Sequence, residues 1–103
     1  MKVDMNQKIK NMDGSVAKEG DKEITLGVIC ANALLATIPN ENPTGPQKYE
    51  RFGLATKIHA SKDGMLEISV ENLAMLREMI GKGYSTLVVG QAYDLLDGKT
   101  PEV

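Results

Sequence analysis

Two side chains are of the types that nucleophilic catalysis uses: Cys30, the one cysteine, and His59, the one histidine. A thiolate can attack and an imidazole can take its proton, provided the two lie within hydrogen-bond reach. The surroundings argue against that pairing. Cys30 sits in the middle of an uncharged run, Thr25–Ile38 (TLGVICANALLATI), where an apolar setting disfavours the thiolate. His59 lies on the border of an apolar helical arc, with nothing nearby marked for it to activate. We read Cys30 as a small buried hydrophobe and expect no catalytic residue.

Metal and phosphate chemistry fare no better. One Cys and one His are too few ligands for a structural zinc site. Asn11-x-Asp13-x-Ser15 resembles the start of a calcium loop but lacks its sixth-position Gly and twelfth-position Glu. Gly81-Lys82-Gly83-Tyr84-Ser85-Thr86 has a phosphate-loop look without the Walker spacing. A helix stop at Gly83 and a helix cap at Ser85 explain it. Lys48, Arg51, Lys57 and Lys62 form at most a modest basic patch, read as a solvated face. Met65, Met75 and Met79 are read as core filler. No cofactor, metal or small-molecule substrate is expected.

The elements that would position any site are short and aliphatic. The chain has 103 residues, 42% hydrophobic and 25% charged, which fits one ordinary globular domain without staples. There are three Tyr, one Phe and no Trp, so the core must be built from Leu, Ile, Val, Ala and Met. A net charge of −2 gives no electrostatic footprint for a phosphate backbone and argues against a nucleic-acid partner. The N-terminal sequence has no secretory h-region and no stretch reaches 18 apolar residues. A cytoplasmic location, away from membranes, is therefore the expectation.

Residues 1–24 are polar with thinly spaced apolar positions. Turn chemistry at Asp13-Gly14 predicts a β-hairpin or two short ribbon strands, Lys8–Met12 and Ser15–Lys18, followed by a second break at Glu19-Gly20-Asp21 and an extended Glu23–Ile24. Helix 1 is expected over 25–38, capped by Thr25 and ended by Pro39. A polar loop follows at 39–45. Helix 2 is expected over 46–60, with Thr44 as cap, Pro46 in the first turn, and Phe52, Leu54, Ala55 and Ile58 as its apolar arc. Lys62-Asp63-Gly64 reads as a turn, and Met65–Ile68 as a short strand able to edge the hairpin. Helix 3, over 69–82, carries Leu73, Leu76, Met79 and Ile80 on one stripe, with Ser69 capping and Gly83 stopping it. Helix 4, over 86–97, turns Val88, Val89, Ala92, Leu95 and Leu96 inward and Gln91, Asp94 and Asp97 outward, capped by Ser85. Residues 98–103 read as a frayed tail.

At 100° per residue, helix 1 carries two apolar stripes. Leu26, Ile29, Cys30, Ala33 and Leu34 form one. Val28, Ala31, Leu35 and Ile38 form the other, with Asn32 near the seam. The second stripe is either covered by the rest of the chain or serves as an interaction face.

Asn11-Met12-Asp13-Gly14, Thr25-Leu26-Gly27, Asn32-Ala33-Leu34-Leu35, Tyr49–Ile58 and Ser85–Gln91 together resemble small uncharacterised bacteriophage and prophage proteins. The resemblance spans roughly residues 8–97. It implies a phage setting in a host bacterium's cytoplasm and carries over no catalytic residue.

The expected architecture is α+β, mainly α. A compact four-helix bundle (25–97) bears an N-terminal β-hairpin region (1–24), in one domain over 1–97. The expected function is non-enzymatic: a protein–protein interaction module that self-associates as a homo-oligomer or binds a host or phage protein. A virion (tail) assembly accessory and a nucleic-acid-associated accessory are the alternatives.

Overall fold

The computed structural model describes residues 2–61 and 64–99. The order of elements is β1 (Lys2–Asp4), β2 (Lys18–Glu19), β3 (Lys22–Glu23), α1 (Leu26–Leu35), α2 (Gly45–Ala60), β4 (Met65–Glu67), α3 (Val70–Gly83) and α4 (Thr86–Leu96). The fold is α+β and mainly α. The Cα radius of gyration is 13.2 Å, close to the ~13 Å of a compact chain of about 100 residues.

The strands form two small antiparallel pairs. β1 joins β4 in the register Lys2↔Glu67, Val3↔Leu66, Asp4↔Met65, and β2 joins β3 as a hairpin. The regular hairpin therefore turns at Gly20-Asp21, the second of the two expected breaks, and not at Asp13-Gly14. The Asp13-Gly14 turn does form, closed by Asn11 N–H donating to the Ser15 carbonyl at 2.8 Å. Its arms meet only at the isolated Lys10↔Val16 bridge. The reason lies in Ile9: its N–H donates to Ile24 and its carbonyl accepts from Ala17. Three passes of chain converge there, and each contributes only a short run of pairing. β4 takes β1 as its partner and not the hairpin. Lys62 and Asp63, expected in a turn, lie outside the described residues.

Side-chain caps set three helix starts. Thr25 Oγ1 accepts from Val28 N–H at 3.2 Å, and Ser69 Oγ accepts from Asn72 N–H at 3.1 Å. Thr44 and Gln47 form a reciprocal capping box, in which each side chain accepts from the other's backbone N–H. Ser85 occupies the N-cap of α4 but makes no side-chain capping bond.

Two helix ends differ from expectation. α1 stops at Leu35, three residues early, and Ala36 is already extended. From there Ile38 turns back to pack on the core, and Asn40 adopts a left-handed φ of 65°, so the chain reverses before α2. Gly83 is the last residue of α3 and does not adopt the left-handed stop. That device closes α4 instead. Gly98 has φ 78°, its N–H donates to Leu95, and Lys99 N–H donates to Asp94, which together make a Schellman motif. Gly98 and Lys99 therefore finish the helix; residues 100–103 of the expected tail lie outside the described residues.

The core is one contiguous aliphatic cluster. α1 packs on α2 and α3, with a smaller contact to α4. Leu26, Cys30, Leu76, Ile80, Ala92 and Leu96 are fully buried, and β1 and the segment after it add Val3, Met5 and Ile9. α1 can approach that segment because residue 27 is glycine: a Cβ there would meet the Met5 carbonyl oxygen at 3.1 Å.

Candidate interaction face

α1 presents two different sides. Leu26, Ile29, Cys30, Ala33 and Leu34 are buried, as the first stripe requires. On the opposite side Val28 is 40% exposed and Leu35 60% exposed, with Ala31 half-buried between them. Ile38, the fourth residue of the expected face, lies beyond the helix and is half-buried against the core. The described chain thus leaves Val28 and Leu35 open and covers Ile38.

α2 extends this apolar side. Phe52, expected in the arc with Leu54, Ala55 and Ile58, is instead 58% exposed. Helical geometry gives the reason. Leu54, Ala55 and Ile58 centre the buried arc, and Phe52 lies on its flank beside Lys48 and His59. That flank borders α1. Leu35 and Phe52 both line a groove of about 380 Å³, together with Ile38, Glu41, Lys48 and Arg51. A shallower depression of about 270 Å³ lies further along the same seam, with Val28, Ala31, Ile58 and His59 in its wall.

The groove has an electrostatic anchor. Glu41 is only 14% exposed at its side chain and accepts two hydrogen bonds from the Arg51 guanidinium, at 2.7 and 3.3 Å. Lys82 of α3 adds a third at 3.0 Å. The Arg51 guanidinium first, and then the Lys82 ammonium, hold the Glu41 carboxyl below its ordinary value. The connection between α1 and α2 is thereby tied to both α2 and α3. Lys48, on the same groove wall, has no ion-pair partner among the described residues.

Cys30 and His59 stand in different environments. Cys30 is fully buried, and loss of solvation pushes its thiol up to about 12. His59 is exposed at the end of α2. Asn11, Asp13 and Ser15 hydrogen-bond among themselves, with Ser15 Oγ donating to Asp13 at 2.6 Å and Asn11 Nδ2 donating to Ser15 Oγ at 3.1 Å. That is a closed side-chain turn. No group of three or more His, Cys, Asp or Glu capable of holding a metal occurs among the described residues. Of the expected basic patch, Lys48 and Arg51 share the groove, while Lys62 lies outside the described residues.

One buried polar residue escapes the sequence reading. Gln91, expected to face solvent, is 3% exposed. Its amide accepts from Lys10 N–H at 2.8 Å and donates to the Lys10 carbonyl at 2.7 Å. The side chain thus satisfies both backbone groups of a residue whose strand pairing is a single bridge. The signal was present: 88, 91, 92 and 95 have the i, i+3, i+4, i+7 spacing of a helix's inner side.

Comparison with family models, curated proteins and solved structures finds no match.

Proposed function

We propose that this chain works by protein–protein contact, through the outer side of α1 and the adjoining flank of α2. One observation carries the reading. The only Phe stands on the surface of α2 and lines the groove against the uncharged end of α1, while the core is filled by aliphatic residues. Large apolar groups grouped on a surface are characteristic of binding sites, and aromatic residues contribute strongly at such sites. The burial of Cys30 and its distance in character from the exposed His59 support a non-enzymatic role. A four-helix bundle with the hairpin on one end is the frame that we propose for this face. The sequence resemblance supplies a phage setting, with a homo-oligomer or a complex with a host or phage protein as the assembled form.

Sedimentation velocity over a range of concentrations tests the reading, with Leu35→Asp as the comparison. Leu35 is more than half exposed, so the substitution leaves the core intact. Association of the wild type that the variant lacks supports the proposal. A monomer at every concentration, unchanged by the variant, removes self-association and leaves only a hetero-partner at the same face.

A further inference from the structure

We propose that the groove between the end of α1 and the start of α2 receives a short peptide segment that is both acidic and aliphatic. The inference rests on the protein-contact reading above and names the chemistry of the partner. Leu35, Ile38 and Phe52 provide an apolar wall in a space of about 380 Å³, within the range of roughly 300–1,000 Å³ that holds a small ligand or a few side chains.

The charges of the groove decide the sign of the occupant. Its ionisable lining is Glu41, Lys48 and Arg51, a formal balance of +1 in a chain whose net charge is −2. The one carboxylate is already engaged by Arg51, and Lys82 reaches the same carboxylate from α3. Neutralised in this way, Glu41 offers little to a cationic guest. Lys48 remains as a cation with no ion-pair partner among the described residues, on the helical side it shares with Phe52 one turn away. An acidic side chain placed on Lys48 therefore brings a neighbouring aliphatic side chain over Leu35 and Phe52. A basic segment would meet an unpaired ammonium there, at an energetic cost.

Two fluorescein-labelled synthetic peptides test this, one of alternating leucine and glutamate and one of alternating leucine and lysine. Each is titrated with the full chain, with anisotropy and backbone amide shifts as readouts. The glutamate peptide is expected to bind and to shift Leu35, Lys48 and Phe52. Lys48→Glu is expected to weaken it about tenfold or more, and 0.5 M salt to weaken it further. Phe52→Ser is expected to weaken it while leaving the thermal melt unchanged. Equal binding of both peptides, or a Lys48→Glu variant that binds like the wild type, overturns the inference. If neither peptide binds but Leu35→Asp abolishes self-association, the acidic-segment inference falls and the contact reading stands. If neither peptide binds and the protein is monomeric, the acidic-segment inference and self-association both fall, and the contact reading keeps only a hetero-partner of other chemistry.

Discussion

α1 and α3 each bury one clean apolar stripe, yet their opposite sides have different chemistry. The outer side of α3 carries Glu71, Glu78 and Lys82, with Lys82 bonded to Glu78 at 3.1 Å one turn away. The outer side of α1 has no charge at all and leaves Val28 and Leu35 open. Inner stripes set how a helix packs; outer chemistry separates a helix that meets water from one suited to a second contact. A polar outer side dissolves, whereas an apolar one adjoining an exposed Phe is a surface at odds with solvent.

Truncating one residue from each helix separates the two kinds of surface by the largest margin. Leu76→Ala in α3 removes a fully buried side chain and is expected to cost about 2–5 kcal/mol. Leu35→Ala on the outer side of α1 removes one that is 60% exposed and is expected to cost about 0.5 kcal/mol or less in the monomer. Urea unfolding at low protein concentration measures both, and equal losses would mean that Leu35 is covered as fully as Leu76. Next in size is Gln91→Ala. It leaves the Lys10 N–H and carbonyl without their shared partner, at an expected cost of about 1–3 kcal/mol, together with faster amide exchange at Lys10.

The third effect is a pH dependence at the groove. The Glu41 carboxyl is held below its ordinary 4.5 by Arg51 and then by Lys82. A depressed folded value means that its stabilisation is present above 4.5 and lost as pH falls through the lower folded value. Acid melts are therefore expected to show a shallower acid limb for Arg51→Gln than for the wild type. The smallest effect concerns Cys30, whose ordinary value of 9.0 is pushed up to about 12 by burial. A raised folded value gives stability that is full below pH 9 and declines as pH rises toward 12. Thiol-reagent labelling at pH 8 is accordingly expected to be slow in the native protein and fast in urea.

Much of this was legible in the sequence where pattern and capping agree. Leu73, Leu76, Met79 and Ile80 of α3 are all buried, as their spacing requires, and Thr25, Thr44 and Ser69 cap where turn chemistry places them. Misreadings arose where tertiary contacts decide. Gln91 holds an inner position of α4 by spacing but is polar in type, and the Lys10 segment converging on α4 supplies the partners for its amide. The hairpin moved from Asp13-Gly14 to Gly20-Asp21 because Ile9 divides its backbone bonds between two neighbours. At the candidate face, residue type was legible but coverage was not. Ile38 is claimed by the core and Phe52 is released from it, and neither outcome follows from helical angle alone.

The apolar outer side of α1 is proposed here as a contact surface. Backbone amide shifts of the wild-type chain, followed as its concentration is raised, test it most directly. Shifts confined to Val28–Leu35 and the Phe52 flank, and absent in Leu35→Asp, are the expected result. Shifts located instead on the charged outer side of α3 would contradict it.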